Sequence, residues 1–326
     1  MTAVHVEDFS QKWVFPSDDE FQCDNEDAAK RRDLRGIYGA PVVEDGLVYL
    51  GGYDGNVYAV REEDGHCVWV SEAADGPIVG GLVYAEGAVY FGSDDGFLYG
   101  LNAETGEIEA GPFEAGAPVW VTPLFDGQYL YFTTVRGHMY SLEAGTLHPN
   151  PGWRAAPPVS GGLITNPVMT DEGVILVGGM GKRLYAIAAA SGEQAWDEPL
   201  AAGNWFWGTP YVDGDRVFAA SLDGRVYAAD AATGEQLWEP FDTGEPVRAG
   251  PLLTDGVLVA VNRAGQVYRI DPDTGEGLGA AVEIGNEVLT DPITFDEDVM
   301  VLTRGGRLYR VDPQGERELR EVRVQP

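Results

Sequence analysis

Seven copies of one short phrase constrain this 326-residue chain more than any other feature it has. "DGNVYAV" returns as "DGFLYGL", "RGHMYSL", "GKRLYAI", "DGRVYAA", "GQVYRI" and "GRLYRV". The tyrosines are Tyr58, Tyr99, Tyr140, Tyr185, Tyr227, Tyr268 and Tyr309, separated by 41, 41, 45, 42, 41 and 41 residues. A fixed period of this size marks a repeat architecture, in which each unit buries its apolar face against its neighbour. A ring in the same place in seven copies is expected to pack between neighbouring units.

Each unit reads as four short strands. In the first copy these are "APVVE", "LVYLGG", "NVYAVR" and "CVWVS", separated by "DG", "DG" and "EDG". Asp-Gly suits tight hairpin turns, because glycine accepts positive φ and the aspartate bonds to nearby backbone. No crossover helix separates the strands, so each unit is an antiparallel meander. Four-stranded meanders at this period are the blades of a propeller. The expected fold is all-β, a seven-bladed β-propeller of four-stranded antiparallel blades, with eight blades as the alternative. Only "ELREVRV" remains after Tyr309 to form a strand, and an eighth blade needs about thirty more residues. "QKWVFP" (11–16) reads as a separate fourth strand that clasps the last blade and protects its edge, with Trp13 in the recurrent tryptophan position. The chain then divides into a closing strand and charged lead-in (1–36) and one propeller domain of seven repeats (37–326). Residues 17–36 carry the charge and one short helix. Residues 143–160, "EAGTLHPNPGWRAAPPVS", form a Pro-rich excursion that lengthens one gap.

A glycine four residues before a tryptophan recurs as Gly65…Trp69, Gly192…Trp196 and Gly234…Trp238. With "SLDGRVYAADAATGEQLW" (221–238), residues 37–326 resemble the PQQ-type propeller repeat family. Its members include quinoprotein dehydrogenases, the propeller lipoprotein of the outer-membrane β-barrel assembly machinery, and sensor ectodomains. The resemblance implies architecture more firmly than activity. By resemblance alone, the protein is expected to be extracytoplasmic, periplasmic or at the cell surface.

Quinoprotein dehydrogenases of the family are typically eight-bladed and longer. They hold quinone and calcium with a Glu, Asn and Asp set, and many have adjacent cysteines. This chain has no Cys-Cys pair and no such set in its sequence, so neither PQQ nor calcium is expected as a cofactor. Asp54, Asp94, Asp95 and Asp223 lie beside the turn glycines, where turn formation accounts for them without a metal. The four histidines, His5, His66, His138 and His148, fall at unrelated repeat positions with no metal-ligand spacing. No phosphate loop or nucleophile elbow is present.

Net charge is −32, from 53 acidic and 21 basic residues, which argues against nucleic acid and anionic lipid as partners. The acid is uneven: Ile37 to Val135 holds sixteen carboxylates and one cation, Arg61. That sector either docks a basic partner or maintains solubility. Eighteen arginines against three lysines fit either a GC-rich or a salt-adapted genome. No run approaches the ~20 apolar residues that span a bilayer. "MTAVHVEDFSQKW" has no charged segment followed by an apolar one, while a signal or lipid anchor ahead of it stays open. Cys23 and Cys67 are expected as free thiols; should their segments touch, one disulfide would tie the N-terminal segment to the first repeat.

Loops leading into the first strand and joining the second to the third open on one face of a propeller, where ligands or peptides are received. Three residues before the proline that opens the first strand stand Tyr38, Val79, Trp120, Ile164, Trp207, Arg248 and Leu289, with Leu82 replacing proline in the second copy. Aromatic residues and arginine dominate binding hot spots. In "GNWFWGTP" (203–210), extended backbone sends Trp205 and Trp207 one way and Phe206 the other, to form a binding platform or to fill the core. Arg136, Arg263 and Arg304 stand in place of the turn aspartate, with Lys182 and Arg225 close by. The expected function is a non-catalytic scaffold, acting as a monomer. It would bind a protein, a peptide or a small anionic ligand through Tyr38, Trp120, Trp205, Trp207, Arg248, Arg136, Arg263 and Arg304. The alternatives are a quinone- or calcium-dependent oxidoreductase and a structural ectodomain of a larger sensor or surface assembly.

Overall fold

Asp45 and Gly46 show how this chain makes its sheets. Both have positive φ, 51° and 77°, the type I′ geometry whose twist matches the flanking strands. Val42–Glu44 therefore folds straight back on Leu47–Gly51, with Glu44 opposite Leu47. In the computed structural model, which describes residues 1–4, 10–16, 21–25, 34, 36–153 and 159–322, every named element is a strand. The lead-in positions 17–20, 26–33 and 35, where a short helix is expected, lie outside the described residues, as do 154–158 of the Pro-rich excursion.

The seven repeats give seven antiparallel meanders. The first sheet is Val42–Glu44, Leu47–Gly51, Val57–Arg61 and Cys67–Ser71, and the second is Val83–Ala85, Ala88–Gly92, Phe97–Asn102 and Ile108–Glu114. Among the described residues the third has Leu124–Phe125, Tyr129–Thr133 and Met139–Glu143; the place of its expected fourth strand falls at 154–158, outside the described residues. After Glu143 the chain makes one isolated bridge, Leu142 to Pro149. Four-stranded sheets resume with the fourth, centred on Val174–Gly178 and Arg183–Ala188, and the fifth, on Arg216–Ala220 and Arg225–Asp230. The sixth is centred on Val257–Val261 and Gln266–Ile270, and the seventh runs from Ile293–Phe295 to Arg320–Val322.

The chain divides near residue 155 into two compact units, the first holding the N-terminal hairpin and sheets one to three, the second holding sheets four to seven. In each, the core lies between sheets. Tyr49, Trp69 and Ile78 pack with Phe91, Tyr99 and Leu101 in the first unit, and Leu184, Trp196 and Phe206 pack with Val217 and Tyr227 in the second. Strands covered on both faces carry continuous apolar runs, which is why "LVYLG" does not alternate. Tyr99, Tyr227 and Tyr309 lie in these layers as expected. The hydroxyls of Tyr99 and Tyr227 donate to Asp95 and Asp223 at 2.8 and 2.6 Å, and that of Tyr58 donates to Asp54.

The recurrent tryptophans dock forward. Indole Nε1 of Trp69 donates to the Ala103 carbonyl, of Trp196 to Ala231 and of Trp238 to Pro272, at 2.9–3.1 Å. Each ring lies under a glycine of the next repeat, Gly106, Gly234 or Gly275, where a Cβ would strike it. Trp13 makes the same contact with the first sheet, donating to Glu62 at 2.7 Å beneath Gly65. Its strand, Gln11–Val14, pairs with Thr2–Val4 in a two-stranded sheet of its own, and Arg320–Val322 is the last strand of the seventh sheet. The hairpin and the segment after it put Trp13, Phe15, Phe21 and Cys23 over Val48, Leu50, Tyr58 and Val60.

The expectation of free thiols is wrong: Cys23 and Cys67 form a disulfide, with Cα atoms 4.6 Å apart. Phe21 and Cys23 belong to the apolar cover of the first sheet, which carries Cys23 onto the outer strand Cys67–Ser71. Asn25 fastens the same strand, its amide donating to the Val70 carbonyl and accepting from the Val70 N–H. The strap covers an edge that would otherwise be open.

Candidate functional site

One hydrogen bond repeated in all seven repeats organises the loop rim. The turn between the second and third strands donates a backbone N–H to the segment leading into the first strand of the same repeat. The donors are Tyr53, Asp94, Val135, Met180, Leu222, Arg263 and Arg304, and the acceptors are the carbonyls of Gly36, Pro77, Pro118, Gly162, Trp205, Pro246 and Glu287, at 2.8–3.0 Å. Three positions per repeat therefore share the rim: the acceptor residue, the residue two places on, and the turn donor.

This register corrects the alignment of the arginines. Only Arg136 replaces the turn aspartate, and it lies exposed beside Val135. Arg263 and Arg304 stand one position earlier, where Tyr53 and Asp94 stand in the first two repeats. The sixth and seventh turns carry Ala264 and Gly305 in the aspartate place, so the arginine there belongs to the preceding position.

In the second unit the rim residues meet. A Cβ on Gly208 would run into the backbone of Ala249 and Gly250, so glycine lets the fifth and sixth lead-in segments touch. Asp291 of the seventh accepts from the N–H groups of Gly250 and Thr209, at 2.5 and 3.3 Å. The guanidinium of Arg248 consequently lies 4.4 Å above the ring of Trp207, a cation–π stack. Trp205 continues it, its ring 6.4 Å from Trp207 and inclined by 20°. Phe206 points the opposite way and is buried against Tyr227, with ring centroids 5.7 Å apart. The alternation expected of "NWFW" is present, and it splits the segment between a platform and the core.

Beside the stack, Glu287 joins two turns. Its Oε1 accepts from Nε and Nη2 of Arg263, at 3.2 and 2.5 Å, and its Oε2 accepts from Nη1 of Arg304, at 2.9 Å. Arg304 and Arg263 together hold the Glu287 carboxyl below the usual range. Burial and the charge of Arg263 push Arg248 down, and Glu287 partly offsets them. Nε of Arg248 is buried with no hydrogen-bond partner among the described residues. Two arginines thus hold one carboxylate, with a third, Arg248, near enough to feel its charge.

The first unit fills the same rim differently. Tyr38, 68% exposed, packs against Tyr53 with centroids 5.2 Å apart. Trp120 donates from Nε1 to Asp94 at 2.7 Å. The aromatic and cationic candidates are therefore divided: Tyr38, Trp120 and Arg136 belong to the first unit, and Trp205, Trp207, Arg248, Arg263 and Arg304 to the second. Sequence reasoning missed Tyr53 and Glu287. Both would emerge from aligning repeats on the turn-to-lead-in bond, which fixes which side chains share the rim.

Among the described residues no three of His, Cys, Asp and Glu converge on a point suited to a metal. Asp54, Asp95 and Asp223 each accept a hydrogen bond from the tyrosine of their own repeat. The two cysteines are not adjacent and staple the N-terminal strap.

The family described as outer membrane protein assembly factor BamB matches residues 25–146 and 149–279. A sequence search of curated proteins found no match. Among solved structures, BamB from Moraxella catarrhalis aligns at a TM-score of 0.71 and 19% identity, covering 86% of this chain and 84% of that one. The computationally designed protein Ika8 aligns at 0.71 and 15% identity, covering 83% and 82%. At these identities the likeness is one of fold: the meander sheets are blades of a β-propeller.

Proposed function

This chain belongs to the family of the outer membrane protein assembly factor BamB, and from that premise we propose that it is a non-catalytic binding scaffold that receives a partner protein or peptide on its loop rim. The observation that carries the reading is the contiguous set Trp205, Trp207, Arg248, Arg263 and Arg304 in the second unit. Flat aromatic area with stacked and clustered arginine is the composition of an interface hot spot, and the repeat fold does not need it. Tyr38, Trp120 and Arg136 are secondary contacts on the first unit's rim.

An extracytoplasmic setting fits a family of outer-membrane assembly factors and the buried Cys23–Cys67 disulfide, since such bonds persist in oxidising compartments. The scaffold works as a monomer and uses neither PQQ nor calcium.

Equilibrium binding of short extended synthetic peptides, followed by tryptophan fluorescence, tests the reading. Saturable binding is expected. Substituting Trp207→Ala with Arg248→Ala should weaken it by about 30-fold or more, the loss of one hot spot of about 2 kcal/mol. Unchanged affinity in that double variant would remove the site. A saturable heat at one equivalent of PQQ with calcium would instead favour the oxidoreductase.

A further inference from the structure

We infer that Glu287 is a built-in stand-in for a partner's carboxylate, and that the rim of the second unit takes an acidic extended segment carrying aromatic side chains. The inference rests on the binding reading above and adds the chemistry of the partner and a restraint on the site.

Four observations support it. The backbone at position 287 already does what the repeat requires, its carbonyl accepting from the Arg304 N–H. The equivalent residues are Gly36, Pro77, Pro118, Gly162, Trp205 and Pro246, so no other repeat places a carboxylate there. The Glu287 side chain, with about a quarter of its surface exposed, spans Arg263 and Arg304 with one oxygen to each, as a bound carboxylate would. Arg248 supplies the vacant cation. Stacked on Trp207, a guanidinium has one face occupied and its in-plane N–H groups left to meet a carboxylate edge-on.

Charge complementarity selects an acidic occupant over a basic one. Three arginines against Glu287 and Asp291 leave a surplus of positive charge on a protein of net charge −32. Arg248 and Arg263 repel one another, and an anion between them relieves that repulsion. The Trp205–Trp207 rings beside them offer flat apolar area, which matches an aromatic side chain alternating with the acid. An incoming carboxylate takes over the donors of Arg263 and Arg304 while Glu287 turns to solvent, so the site holds a weak internal competitor until an acidic partner arrives.

The test uses the full chain and a fluorescein-labelled hexapeptide of alternating Asp and Phe, with an Asn–Phe hexapeptide as the uncharged control. Glu287→Gln should bind the Asp–Phe peptide about tenfold more tightly than the unsubstituted protein, with no change for the control. Glu287→Pro, the residue at three equivalent positions, should do the same and guards against an effect peculiar to glutamine. Trp207→Ala with Arg248→Ala should weaken binding by about 30-fold or more in every background. Unchanged or weaker binding by both Glu287 variants, with the double variant still losing about 30-fold or more, would overturn the stand-in role and leave the binding site intact. Absence of binding by all forms, or indifference to the double variant, would overturn both.

Discussion

The two units use one backbone device and fill it with opposite chemistry. In the first, the rim positions hold Tyr38, Tyr53, Asp94 and Trp120, joined by an aromatic contact and an indole-to-carboxylate bond. In the second, the same positions hold Trp205, Trp207, Arg248, Arg263 and Arg304 around Glu287. The turn-to-lead-in bond is the same in both, at 2.8–3.0 Å. What holds the repeat is therefore main chain and buried glycine–tryptophan packing, and what distinguishes one repeat from another is side chains that the main chain leaves free.

The largest effects should appear where the units are alike. Trp196→Ala removes a buried indole from the second unit and should cost about 3–5 kcal/mol in chemical denaturation. Trp13→Ala makes the same lesion against the first sheet and should cost a comparable amount. A loss for Trp13→Ala of only a few tenths of a kcal/mol would show that the hairpin merely decorates that sheet.

Next in size is the strap, found only in the first unit. Replacing Cys23 and Cys67 together by serine should cost about 2–4 kcal/mol. Hydrogen exchange should quicken over residues 47–70 and stay unchanged over the second unit. Uniform acceleration throughout would erase the distinction between the units.

A smaller, pH-dependent difference belongs to the second unit. Burial pushes the Asp312 carboxyl up, but Arg317 and the N–H groups of Gln314, Glu316 and Arg317 outweigh it and hold the group at about 2. An unfolded aspartate titrates near ~3.9, so below that pH the unfolded chain binds the proton more readily than the folded one. The stabilisation is full above about pH 4 and is lost as the pH falls towards 2. Asp312→Asn should flatten that acid limb in thermal melts, and an unaltered limb would assign it to other carboxylates.

The smallest effect should come from exchanging rim chemistry itself. Asp94→Arg puts the sixth repeat's cation into the second repeat. It forfeits the Trp120 bond, yet stability should move by no more than about 0.5 kcal/mol, because the Asp94 N–H bond to Pro77 is main chain. A loss above about 2 kcal/mol would mean that the rim side chains carry structure after all.

Much of the architecture is legible in the sequence because it is periodic. The tyrosine spacing, the turn glycines and the forward-docking tryptophans each report a contact made again and again, and one copy corroborates another. The alternation of Trp205, Phe206 and Trp207 is also readable, since extended backbone dictates it. Features that occur once are not. The Cys23–Cys67 bond depends on a strap crossing 44 residues of sequence. Arg263 and Arg304 read one register off, because Ala264 and Gly305 fill the aspartate place and the arginine stands at the turn donor before it. Glu287 is invisible until that register is right, since its partners come from two different turns.

The forward docking of tryptophan has a consequence for synthesis on the ribosome. Trp13 precedes the sheet it covers, and so do Trp69, Trp196 and Trp238. Chains emerge N-terminus first, so each of these sheets meets an indole that has already been made, and its apolar face has a cover before the next sheet leaves the exit tunnel.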